Sequence, residues 1–207
     1  MSFQQDTFQP STSFTLFPPA IKHLLILNLL FFLARMTPGI QELVFVYGAL
    51  WPFDHPYFGP WQLVSYMFLH AGVGHIFFNL FALWMFGQSI ENLWGTKRFV
   101  TYYFLTGIGA ALMHMFVVGG GAPVVGASGA VYGILLAFAM MFPNRLIFLL
   151  FLPIPIKAKY FVMIFGALEL FNGVTSLTTG VAHFAHLGGM VVGYILIRLW
   201  GIKGNYQ

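Results

Sequence analysis

The sequence predicts an all-α polytopic membrane protein, and three observations carry that expectation. Of its 207 residues, 59% are hydrophobic and only 7% charged, whereas roughly a quarter of an ordinary soluble domain is charged. Mean hydropathy is +0.83. The apolar residues also fall into long runs separated by Pro, Gly and basic residues. At roughly 20 residues per span, such a chain holds about five to seven spans in one domain.

Taken in order, the runs give six spans. Residues 1–19, polar with scattered Phe and Pro, are expected to form a loose arm. The first span is expected over 20–36, stopped by Thr37-Pro38-Gly39. Residues 37–60 carry Tyr47, Trp51, Phe53, Tyr57, Phe58 and four prolines, too broken for a span and suited to the headgroup region. The stretch 61–74 predicts a short helix broken at Gly72 and Gly74, and the second span follows over 75–94. The third is expected over 99–118, before a loop of Gly119, Gly120, Gly121 and Pro123. The fourth runs over 128–142 and stops at Pro143-Asn144. Pro153 and Pro155 mark 145–157 as an interfacial excursion. The fifth and sixth spans are expected over 158–174 and 183–201, so the membrane domain covers 20–201 and leaves 202–207 as a short tail.

The chain has no cysteine, which excludes disulfides, thiolate catalysis and Cys-ligated metal. The pI near 9.4 does not indicate nucleic acid, because the basic residues are scattered between spans rather than gathered in a patch. No cleaved signal peptide is expected: the first twenty residues hold no Lys or Arg. With a cytoplasmic amino terminus, the inner segments hold Lys22, Lys97, Arg98, Arg145, Lys157, Lys159, Arg198 and Lys203, and the outer segments only Arg35. The positive-inside rule therefore predicts cytoplasmic termini and outer loops at 37–60, 119–127 and 175–182.

Two segments carry candidate chemistry, G-A-S-G-A-V-Y-G at 126–133 and A-H-L-G-G-M-V-V-G at 185–193. Ser128 begins a helix of about 15 residues, or about 22 Å, shorter than the roughly 30 Å hydrocarbon. Its outer end is therefore expected below the surface, where irregular backbone is tolerated only if protein or water covers it. Ser128 reads either as a nucleophile or as a helix N-cap within a small-residue motif. His186 shares a helical face with Gly189 and Gly193, and Gly129 and Gly133 repeat that spacing on the fourth span. Docking of these faces brings the imidazole towards Ser128, making a base-activated nucleophile; otherwise His186 is interhelical glue. Tyr132 lies on the same stripe as Ser128 and is placed to pack on the ring. His75 and Asn79, at i and i+4, are candidate oxyanion donors or polar glue between helices. Gly126 lies in the irregular loop before Ser128. Glu169 is the carboxylate well inside a span; it either completes a triad or is a structural acceptor, and a Ser–His dyad is favoured. His183 precedes His186 by one turn, and a His-x-x-His pair can bind metal, but its place at the span entrance suits a solvated side chain. No metal and no cofactor is expected.

With these motifs in hand, the chain resembles the rhomboid intramembrane serine proteases of the compact six-span bacterial type. The resemblance rests on H-I-F-F-N at 75–79 and on the two segments above, with P-I-P-I-K-A-K-Y at 153–160 in support. It implies a six-helix bundle with a membrane-embedded first outer loop. It implies catalysis by Ser128 and His186, with Tyr132 stacked on the imidazole, His75, Asn79 and the Ser128 backbone N–H at the oxyanion, and Gly189 and Gly193 as packing glycines. The expected substrates are transmembrane proteins cut near the outer face of a bacterial inner membrane. One departure stands out: many members carry Trp-Arg where this chain has Trp61-Gln62. Two rival readings are a non-catalytic binder of client helices, which typically loses the Ser or the His, and a metal or proton transporter using His70, His75, His183 and His186. Oligomeric state is not legible.

Overall fold

A computed structural model describes residues 14–149, 152–175 and 182–202. Most of the expected amino-terminal arm, most of the 175–182 loop and the tail beyond 202 lie outside these described residues. The six expected spans correspond to α1 (Pro19–Met36), α4 (Val73–Trp94), α5 (Thr96–Val118), α6 (Ser128–Met141), α7 (Ala158–Thr175) and α8 (His183–Leu199). Among them α1, α4 and α5 are long and apolar enough to cross a membrane, and α6 and α8 are shorter apolar helices. Outward-facing Leu30, Phe78, Phe171 and Leu199 are at least half exposed. An apolar surface of that extent belongs against lipid rather than water.

The boundaries have identifiable causes. Pro19 opens α1 at the first helical position, where its missing N–H costs nothing. The next two backbone N–H groups, Ala20 and Ile21, donate to the Glu91 carboxylate at 2.8 and 2.9 Å, and Thr96 Oγ1 donates to the same group at 2.7 Å. Glu91 is buried and lies in the last turn of α4, so one carboxylate joins the start of α1 to the α4–α5 corner. The corner turns on Gly95, which ends α4 and begins α5 at φ +79°, a value other residues rarely adopt.

One expectation needs correction, and one segment holds structure that was not foreseen. Gly74 does not break a helix: α4 starts at Val73, and only Gly72 lies outside it. The expected excursion at 145–157 holds an antiparallel ribbon, β1 (Leu146–Leu149) and β2 (Leu152–Lys157), with Leu146 opposite Lys157 and Ile147 opposite Ile156. A two-stranded ribbon has free edges, and prolines two apart set their missing donors on the same edge, where no ladder bond is lost. The connection 37–60 contains α2 (Gln41–Gly48). The short helix expected after it is α3 (Gln62–Ser65), continued by a 3-10 turn over Tyr66–Phe68. Gln62, fully buried, accepts from Trp51 N at 3.3 Å and donates to Tyr57 O at 2.8 Å. The uncharged residue at the departure from Trp-Arg thus still ties the first loop together.

α6 is the central helix, packed against α4, α5, α7 and α8. Glycine lets the backbones meet: a Cβ on Gly189 would lie 1.9 Å from Gly129 O, and one on Gly193 would lie 2.3 Å from the Tyr102 hydroxyl. Tyr102 in turn donates to Gly133 O at 2.8 Å. The expected α6–α8 glycine contact is present, with one refinement. The Cβ directions of Gly129 and Gly133 point at Ala110 and Thr106 of α5, so these glycines admit α5 as well as α8.

Candidate active site

Close packing of α6 on α8 brings Ser128 Oγ within 2.7 Å of His186 Nε2. Ser128 is the first residue of α6, after Ala127 at the cap, and no side chain caps the helix. The N-cap alternative therefore fails; the hydroxyl is turned to the imidazole. Tyr132, one turn further along α6, lies flat on the His186 ring, with centroids 4.4 Å apart and planes 5° from parallel. Offset stacking of this kind fixes the ring plane.

On the far side of the imidazole sits Glu169 of α7. His186 Nδ1 is 3.0 Å from Glu169 Oε2, close but not aligned as a straight hydrogen bond. His183 Nδ1 bonds the same oxygen at 2.6 Å, and the Tyr132 hydroxyl donates to Oε1. His183 is thus buried against a carboxylate, not solvated at a span entrance. The alternative of a third group beside the favoured dyad has a carboxylate in reach, 3.0 Å from His186 Nδ1. Glu169, His183 and His186 offer three ligand atoms within 4.8 Å of one another, a donor set able to take a divalent cation. One of the separations, His183 Nδ1 to Glu169 Oε2, is a hydrogen bond, and a proton shared there accounts for it.

The other wall is built by α4 and the loop before Ser128. His75 Nδ1 accepts the Ala71 backbone N–H at 3.3 Å, which leaves Nε2 as the protonated nitrogen. That nitrogen faces Gly126: a Cβ there would lie 2.8 Å from it and 3.7 Å from Ser128 Oγ. Asn79 Nδ2 spends one hydrogen on His75 O at 2.9 Å and keeps a second. Leu50 and Val124 exchange two backbone hydrogen bonds of 2.9 Å, pinning the first loop to the segment that leads into Ser128. These groups border a cavity of about 1230 Å³ lined by His75, Asn79, Ser128, Tyr132 and His186. That volume is many times the roughly 30 Å³ share of one water.

A family model described as Rhomboid domain matches residues 58–202, well over half of the chain. The chain belongs to the rhomboid family. It is 30% identical over 143 residues to rhomboid protease GluP of Bacillus subtilis, covering 69% of this chain and 26% of that protein. It is 32% identical over 146 residues to Rhomboid-like protein 11, chloroplastic, of Arabidopsis thaliana, covering 67% of this chain and 52% of that one. A mouse relative, Presenilin-associated rhomboid-like protein, mitochondrial, is 26% identical over 191 residues, or 87% of this chain and 47% of its own. The chain thus spans about a quarter to a half of these relatives. Family and apolar helices together make it an integral, multi-pass membrane protein.

All the site residues of this rhomboid fall within the matched segment. Ser128, His186, His75, Asn79 and Tyr132 line one cavity, Gly126 lies against His75 and Ser128, and Gly129, Gly189 and Gly193 lie behind them in the packing layer. Sequence reasoning missed His114 of α5, which lines the same cavity. The signal was available, since an ionisable residue inside an apolar span is a functional candidate by default. His70 sits beside the site, its ring 5.1 Å from that of His75. Burial, and then the neighbouring His75, push it down to about 4, so it stays neutral.

Proposed function

We propose that this rhomboid is an intramembrane serine endopeptidase that uses Ser128 and His186. The single observation that carries this is the 2.7 Å contact between Ser128 Oγ and His186 Nε2 beside a large cavity. His186 Nε2 takes the hydroxyl proton as Ser128 attacks a peptide carbonyl. The developing oxyanion is met by His75 Nε2–H, the spare Asn79 N–H and the Ser128 backbone N–H. His186 then protonates the departing amine, and a water from the cavity, deprotonated by the same nitrogen, releases the acyl group. Cytoplasmic termini and an outward-facing site are read from the distribution of basic residues; the six spans are read from the apolar runs, and the bacterial inner membrane rests only on the resemblance to bacterial rhomboids. Suitable substrates are transmembrane segments with small or helix-breaking residues near the outer face, because a peptide bond inside a helix is shielded and must unwind.

The test is cleavage of a model transmembrane substrate by purified protein. Ser128→Ala and His186→Ala are expected to lower kcat by about 10³-fold or more while the protein still folds. Wild-type rates in Ser128→Ala would sink the proposal. The reading as a client-binding pseudoenzyme predicts no labelling by a serine-reactive fluorophosphonate, whereas the protease is labelled at Ser128.

A further inference from the structure

The proposed chemistry leaves one strongly placed group without a task. Glu169 is a buried carboxylate, 9% exposed, at the middle of an apolar helix. A charge there is costly unless it is well partnered, and its partners all belong to the site. The Tyr132 hydroxyl donates to Oε1. His183 Nδ1 bonds Oε2 at 2.6 Å, and His186 Nδ1 stands 3.0 Å from that oxygen. Tyr132 therefore touches the imidazole twice, by its ring directly and by its hydroxyl through the carboxylate.

The tautomer of His186 decides whether Ser128 can be activated. To accept the serine proton, Nε2 must offer a lone pair, so the neutral ring must carry its proton on Nδ1. No hydrogen-bond partner other than the carboxylate is within reach of that nitrogen among the described residues. The remaining groups facing the ring are uncharged or titratable imidazoles: Ser128 and Tyr132 from α6, His183 from α8, His75 from α4 and His114 from α5. Glu169 is the one carboxylate there among the described residues. Contacts of this kind are often bent before substrate binds and straighten in the reacting complex.

Resting on the proposed function, we infer that Glu169 is the positioning residue for His186. It holds the Nδ1–H tautomer and steadies the imidazolium formed when the Ser128 proton arrives on Nε2, with Tyr132 and His183 holding the carboxylate in place. No proton passes to Glu169; the positive charge forms beside a negative one and is neutralised again when the amine takes the proton.

The test is a set of three variants assayed with a transmembrane substrate and a fluorophosphonate. In Glu169→Gln an amide N–H can face Nδ1 and stabilise the wrong tautomer, so kcat and the labelling rate are expected to fall together by about 100-fold with KM within about twofold. Tyr132→Phe keeps the stacked ring and loses only the hydroxyl, and a fall in kcat of about tenfold is expected. In the double variant the two losses should not multiply, because they act through one group. A Glu169→Gln enzyme with kcat within twofold of wild type overturns the inference, as does full multiplicativity. If Glu169→Gln does not fold, Tyr132→Phe at wild-type kcat overturns it instead. A wild-type protein that neither labels nor depends on Ser128 defeats the underlying protease proposal, a different result from a labelled wild type with an equally labelled Glu169→Gln.

Discussion

Gly126 shows how little room single residues have at the site. It sits at φ +130°, and an added Cβ would come within 2.8 Å of His75 Nε2 and 2.9 Å of its Cε1. Either constraint alone disfavours a side chain; together they mean that a methyl group strains the loop and pushes His75 off its line to Ser128. Gly126→Ala is expected to lower kcat by about 10²-fold, the cost of roughly 1 Å of misplacement, while substrate binding changes little. Separate measurement of kcat and KM checks this. At this scale much was legible beforehand. Ser128, His186, His75, Asn79 and Tyr132 are polar or aromatic residues at helical spacing in apolar runs, where each stands out. The Glu169 contact was legible only as one of two alternatives, because the sequence of α7 carries no signal for which of its turns faces α8.

At the scale of the elements, the site depends on how closely α6 and α8 approach. Gly189 Cα rests against the Gly129 carbonyl, so a Cβ would lie 1.9 Å from a backbone oxygen that cannot turn aside. Gly189→Ala must part the helices by roughly 1 Å to restore ordinary contact. Overpacking of this kind costs about 1–3 kcal/mol, and it also separates Ser128 from His186, which sit on the two helices being parted. A lowered thermal midpoint in detergent and a loss of cleavage should appear together; loss of either one alone would contradict this account. The helix limits were readable within three residues, since Pro19, Gly95, Gly119 and Pro143 lie at or next to the ends of elements for a steric reason. The β1–β2 ribbon was not, because Pro153 and Pro155 argue against a strand until it is clear that both edges of the ribbon are free.

Across the whole molecule, α1 lies mostly outside the α5–α6–α8 centre, and Glu91 is what ties its first turn to the rest. The carboxylate takes two backbone N–H groups and the Thr96 hydroxyl in a buried setting. Glu91→Gln replaces one acceptor oxygen by a donor that faces a backbone N–H, and a destabilisation of about 1–3 kcal/mol is expected. Unfolding in mixed micelles measures it. Ser128 and His186 lie at the opposite end of the bundle from Glu91, so activity per folded molecule should stay within about twofold. The bundle itself was foreseeable from composition and span lengths, because lipid leaves a chain of this hydropathy few other choices.

α7 differs from its neighbours in one respect: it contacts α6, α8 and the ribbon, and much of its length, including Met163, Phe171 and Val174, faces outward. It also carries Glu169. On the role inferred for that residue, the catalytic imidazole and its counter-charge sit on two different helices, α8 and α7. Any change that lengthened the spacing between them would slow the chemistry at Ser128 without touching the nucleophile itself.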